Sequence, residues 1–446
     1  MRSIRTMIAS VAAAALIAIT GTGALAAPAE LSSPAADLRV ALTRLLSEHA
    51  ALAIEATRQG LDAGDLEDPE FVAAAGALQG NTDDLTAAID SVYGADAAQA
   101  FRAQWEAHIG FFVDYTVGLA TDDMAAQDQA VADLGTYIED FGQFLSDATG
   151  GNLPADAAKA ALGEHVTQLK EQLDAYAAGD FETAYAKARE AYGHMAMTAD
   201  ALALAIIQQN PDTFTGNDLA WSSAVDLQIA LQSLLGEHAL LAIQATRNGL
   251  TGAGDFDASA ASLGANTADL TAAIESVYGA EAGQAFDAQW QAHIGFFVDY
   301  TVATAGGDEA GREQAVADLG TYIQDFGAFL GTATDENLPT AAAQASLEEH
   351  VGQLAGQVDQ FFADDFAAAY ASERLAYEHM YMTGTAIAAA IAGQMPDMFP
   401  TTTEPSDTAM TAPATAPSPV VLIGLVLAAM AGLVLTRRAV EVRSRN

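Results

Sequence analysis

Residues 92–117 read VYGADAAQAFRAQWEAHIGFFVDYTV, and residues 277–302 read VYGAEAGQAFDAQWQAHIGFFVDYTV. A match of that length marks an internal duplication, and its residue types say what was duplicated. Phe101, Trp105, His108, Phe112, Tyr115 and Leu119 recur at intervals of three and four. That is the period of an apolar stripe along one face of an α-helix, not the alternation of a strand. Further out, AVADLGTYIEDFGQFL from Ala130 returns as AVADLGTYIQDFGAFL from Ala315. The first copy spans 37–214 and the second 226–399, with Gly216, Asn217 and Asp218 as the linker. Alanine is abundant throughout, and breakers fall near 60–68, at Tyr93-Gly94, at Thr121-Asp122, across 150–154 and at Gly179-Asp180. This predicts six helices per copy, as three hairpins. The fold class expected is all-α: two tandem homologous helical-bundle domains followed by a C-terminal transmembrane helix. Closed bundles and short solenoids of stacked hairpins both satisfy the spacing.

The two ends read as addresses rather than as parts of the bundle. Arg2 and Arg5 precede an apolar stretch, and Ala24-Leu25-Ala26 offers a small-x-small cleavage site, so 1–26 is expected to be a secretion signal. Residues 400–419 are rich in Pro and Thr and suit an extended stalk. Residues 420–436 are uncharged and are followed by Arg437, Arg438, Arg443 and Arg445, the pattern of a membrane helix with a cytoplasmic tail at 437–446. The expectation is a single-pass protein of the cell membrane, its N-terminal bulk outside the cytoplasm.

Composition narrows the function classes. The formal net charge is −42, which repels nucleic acid and concentrates cations near the surface. There is no cysteine, which excludes disulfides, thiolate ligands and the C-x-x-C-H attachment of haem. No phosphate loop, dinucleotide fingerprint, nucleophile elbow or H-E-x-x-H is present, so an enzyme is not expected.

What remains is histidine. All eight histidines lie in the two copies: His49, His108, His165 and His194 recur as His238, His293, His350 and His379. They persist although Glu55, Glu106 and Glu139 have become Gln244, Gln291 and Gln324. In the first helix Leu38, Leu42, Leu45, His49, Leu52 and Ala56 form a core-facing stripe, and Leu162, His165, Leu169 and Tyr176 form another in the fifth. A lone histidine in such a stripe is usually a satisfied core residue. Four separate helices contributing one each point instead to shared ligation, because imidazole is the commonest metal-ligand side chain. His194 and Met197, like His379 and Met382, share a helix face three residues apart, and a thioether added to imidazoles favours copper. Glu48, Glu164, Glu237 and Glu349 each precede a histidine and are expected to orient neighbouring rings rather than ligate. The Glu-x-x-His pair of di-iron bundles is missing.

The Glu48-His49 and Glu164-His165 helix openings, the Tyr93-Gly94 junction after NTDDLTAAI and the HMAMT segment from His194 resemble a family of exported Gram-positive bacterial helical-hairpin repeat proteins with internal histidines. The resemblance covers both copies and implies architecture rather than an activity. The functional expectation is a membrane-anchored, extracytoplasmic metal-binding protein for buffering or delivery. Copper is favoured over zinc or iron, with a protein partner left unnamed. Non-covalent haem held by two histidines, and a surface adhesin or scaffold with structural histidines, are the rival expectations.

Overall fold

The computed structural model describes residues 31–402, which form thirteen helices and, among the described residues, no strand. The first copy contains α1 (Pro34–Ala63), α2 (Pro69–Tyr93), α3 (Ala95–Ala120), α4 (Met124–Ala148), α5 (Ala155–Ala177) and α6 (Phe181–Gln209). A single turn, α7 (Asn217–Ala220), sits where only a linker was expected. The second copy contains α8 (Ser223–Thr251), α9 (Phe256–Tyr278), α10 (Ala280–Gly306), α11 (Glu309–Ala333), α12 (Thr340–Phe362) and α13 (Phe366–Gln394). The expected signal at 1–26, membrane helix at 420–436 and tail at 437–446 lie outside the described residues, as does all but the start of the stalk. Among the described residues no helix is long and apolar enough to cross a membrane.

Local chemistry sets the helix ends. Ser33 accepts from the Ala36 amide ahead of Pro34, and Asp68 accepts from the amides of Glu70 and Phe71 ahead of Pro69, two capped starts with proline in the first turn. Asp123 and Asp180 cap α4 and α6 in the same way. Between α2 and α3 only Gly94 intervenes, at φ 84°, and Gly279 repeats this at φ 86°. A one-residue corner of positive φ admits glycine and strains other residues.

α1 packs against α2, α3, α5 and α6, and its contact with α6 closes the set into a bundle rather than an open solenoid. α8 holds the equivalent place among α9, α10, α12 and α13. Two large hydrophobic clusters dominate each bundle, with smaller ones beside them. Leu42, Leu45, Phe101, Trp105, Phe141 and Leu162 form one in the first copy, and Leu52, Leu78, Phe112, Leu134 and Leu169 form the other. His49, His108 and His165 fall between these clusters along their own helices, so a polar layer divides the core.

The copies meet across a pseudo-two-fold axis. Arg189 of α6 pairs with Glu237 and Asp269, while Arg374 of α13 pairs with Glu48 and Asp84, the matching residues of the other copy. The hydroxyls of Tyr192 and Tyr377 lie 3.4 Å apart at the axis. Away from it the symmetry fails: Arg247 is buried between Glu55 and Glu373, and Tyr185 donates to Asp255.

Candidate metal centre

Each odd-numbered helix of the first bundle delivers one imidazole to the dividing layer: His49 from α1, His108 from α3 and His165 from α5. They are 0%, 2% and 5% exposed. One nitrogen from each lies within 4.8 Å of the others, and His238, His293 and His350 repeat the group in the second bundle. The structure thus brings three of the four expected histidines of each copy together.

The closest pair fixes what the cluster can hold. Nε2 of His49 and Nε2 of His108 are 3.4 Å apart, as are Nε2 of His238 and Nε2 of His293. With metal–nitrogen bonds of about 2.0–2.1 Å, two ligands at that separation subtend about 110° at one ion. Trans axial ligands of a haem iron would need about 4 Å between nitrogens at the same bond lengths, with a macrocycle between them. The pair geometry therefore suits a trigonal or tetrahedral ion, and this closest pair is too near for the trans ligands of a haem iron.

The remaining nitrogens are largely idle. Nδ1 of His49 and both nitrogens of His165 have no hydrogen-bond partner, and His108 has only weak backbone contacts at Gln104 and Trp105; the second copy repeats the pattern, with Trp290 beneath His293. An unpaired buried polar group costs about 1–3 kcal/mol, so these layers are expensive unless something fills them. Burial also holds the rings neutral. It pushes His108, His165 and His293 down to about 3, and His49, His238 and His350 well below the usual imidazole range, with neighbouring histidines adding to the shift for His49, His165, His238 and His350. A neutral imidazole is the form that binds a metal. Each triad can hold one metal ion.

Aromatic rings wall the site. Trp105 lies 4.5 Å from His49 and 4.7 Å from His108, and Tyr137 stacks on His108 at 4.8 Å and 16°. Trp290 and Tyr322 do the same for His238 and His293. Sequence reasoning assigned the tyrosine no place here. The signal was present in the 3,4 spacing of Leu134, Tyr137 and Phe141 within the repeated AVADLGTYIEDFGQFL segment.

The structure does not bring His194, Met197, His379 and Met382 into the triads. Nε2 of His194 is 3.0 Å from the Ala161 carbonyl, and Nε2 of His379 is 2.9 Å from the Ser346 carbonyl, so each donates there. Met197 is 65% exposed and Met382 half-buried. The face of α6 turned to the core carries Met195 instead, which with His108 and His165 lines a small cavity. The i,i+3 relation put His194 and Met197 on one face but not on the inner one. Glu48 and Glu237 touch no ring: each accepts from an asparagine, Asn81 or Asn266, and from the other copy's arginine. Glu349 comes nearest to the expected role, 3.7 Å from Nδ1 of His379.

No protein-family model, curated protein or solved structure matches this chain.

Proposed function

We propose that this protein binds one transition-metal ion in each triad, copper ahead of zinc or iron, outside the cell membrane to which residues 420–436 anchor it. The role is buffering or delivery rather than turnover. The observation that carries the reading is the convergence of three buried, neutral imidazoles whose only side-chain hydrogen bond is to one another, between His49 and His108 and between His238 and His293. His194 and His379, each bonded to a carbonyl, show how this fold treats a histidine whose job is structural. A scaffold with purely structural histidines would satisfy the triad rings in the same way.

The donor set supports copper in its univalent state. Three neutral nitrogens with no carboxylate leave the whole charge of the ion inside a low-dielectric layer, and the cost of burying charge grows with its square. A singly charged ion is therefore retained more readily than a doubly charged one, and three-fold coordination satisfies it. Zinc and iron would call for further ligands or a compensating anion. The acidic surface concentrates cations around the bundles.

The test is elemental analysis of protein purified without an affinity tag and reconstituted with copper(I). One ion per triad is expected, with His108→Gln and His293→Gln each removing one and the double variant removing both. Unchanged metal content in the double variant would refute the reading, and an intense violet absorption band in the purified protein would favour haem instead.

A further inference from the structure

The triads match in geometry and differ in access. In the second copy a cavity of about 860 Å³ runs from the surface between α8, α9 and α10 down to His238 and His293. Its counterpart at His49 and His108 measures about 160 Å³. Two sequence changes account for the opening. Gln79, which lines the smaller cavity and donates to Asp83 and Glu106, is replaced at the matching position by Gly264. Leu66, carried into the wall by the α1–α2 loop, has no counterpart: the α8–α9 loop there is the shorter Gly252-Ala253-Gly254-Asp255.

The larger cavity has the composition of a ligand site. Phe256, Leu263, Ile294, Phe297 and Leu354 form apolar walls, and Val298 and Val302 at the mouth are 44% and 65% exposed. Asp257 is the one carboxylate in the lining, and it is exposed. At the floor, His238 has a buried Nδ1 without a partner, and His293 has only a weak backbone contact to Trp290. The volume falls in the range of small-molecule pockets, about 300–1,000 Å³.

We infer that the second copy binds an uncharged, mainly apolar small molecule carrying one lone-pair donor, which enters head-first so that the donor meets the triad of His238, His293 and His350. Apolar walls exclude a multiply charged molecule, and the net charge of −42 disfavours an anion. The inference rests on the metal reading above: the ion in the second triad has three protein nitrogens, and the incoming donor takes the next position. The cavity at the first triad, narrowed by Gln79 and Leu66 to about 160 Å³, is too small for such a ligand, and its ion takes none. The two copies thus divide the work, one site narrow and the other open to a ligand.

The test uses full-length protein in detergent, loaded with copper(I), titrated with N-benzylimidazole and with N-benzylpyrrole, which has the same shape without the lone pair. Calorimetry reports binding, and intrinsic tryptophan fluorescence follows it in parallel. Expected is one N-benzylimidazole per chain, bound at least tenfold more tightly than the pyrrole. Gly264→Gln is expected to weaken it at least tenfold with metal content unchanged. A Cβ at Gly264 would meet nothing within 4 Å, so this variant keeps the fold. Equal affinity for the two probes, or affinity indifferent to Gly264→Gln, overturns the proposal. Metal content measured on the same samples separates the two failures. Metal-replete protein without Gly264-sensitive binding refutes the cavity assignment alone, whereas protein that takes up no metal refutes the reading beneath it.

Discussion

Arg374→Ala tests whether the contact between the copies holds the first metal layer in place. Glu48 is the residue before His49, and its side chain is 2% exposed. Arg374 supplies two hydrogen bonds to it, at 2.9 and 3.3 Å, and a third at 2.6 Å to Asp84. After the substitution Glu48 keeps one donor, Asn81 at 2.8 Å. Removing one partner of a buried ion pair costs about 3–5 kcal/mol. The surviving Asn81 bond, and an arginine side chain that is 23% exposed, place this case near the lower end, at about 3 kcal/mol. Arg189→Ala should cost somewhat less, because Glu237 is 9% exposed. Adding Glu48→Gln to Arg374→Ala should recover most of the loss, since a buried amide needs no counter-charge. Urea denaturation followed by circular dichroism measures all four proteins. In the same series, copper affinity of the first triad should fall by about tenfold in Arg374→Ala, the low end for losing an outer-shell support. A loss under about 1 kcal/mol, or no recovery on adding Glu48→Gln, would make this an ordinary surface pair and refute the argument.

Metal-free protein should be acid-labile. Its triad histidines titrate far below their unfolded value of about 6.5, so stability is intact above that pH. It is lost as pH falls towards 3, by up to about 1.4 kcal/mol per pH unit for each histidine. Glu70, pushed up to about 7 by burial, works in the opposite sense and offsets one of them. A urea midpoint that stays flat between about pH 7 and about pH 5 would contradict this linkage. Arg247→Met strands Glu55 and Glu373 together and should cost about 3–5 kcal/mol at neutral pH, with part of the loss relieved on acidification, because burial favours the protonated form of Glu373. Denaturation curves at two pH values check it. Met197→Ala should leave metal content and affinity unchanged, whereas Met195→Ala should lower stability by about 2–5 kcal/mol through the cavity it leaves.

The helices were readable because their signals are local. Stripes of three and four, capping Ser and Asp residues, and glycine corners act over a few residues, and the breaks expected at Tyr93-Gly94, Thr121-Asp122 and Gly179-Asp180 are where helices end. The triads were half-readable. Stripe membership placed His49, His108 and His165 on inner faces, and the bundle closed around them. His194 and His379 misled because sequence spacing reports which residues share a face, not which face turns inward; that depends on how α6 and α13 lie against α1 and α8. The roles of Glu48 and Glu237 were illegible for a related reason. Their arginine partners are distant in the chain and come from the opposite copy. Access to the second triad depended on Gln79 against Gly264 and on Leu66 in the first copy's longer loop, whose effects appear only once a cavity exists for them to fill.

The paired arginine contacts have a consequence for how such a chain comes to exist. A surface on which each copy offers both the arginine and its acidic acceptors is self-complementary, so two separate copies would already fit one another as a homodimer. Joining them in one polypeptide raises their effective concentration and leaves the contact unaltered. It also releases them from having to be identical. A trio such as Arg247, Glu55 and Glu373 draws on unlike residues from the two halves, so a symmetric pair of identical subunits cannot build it only once. Linkage in one chain thus leaves each half free to diverge, as the two triad cavities do in size.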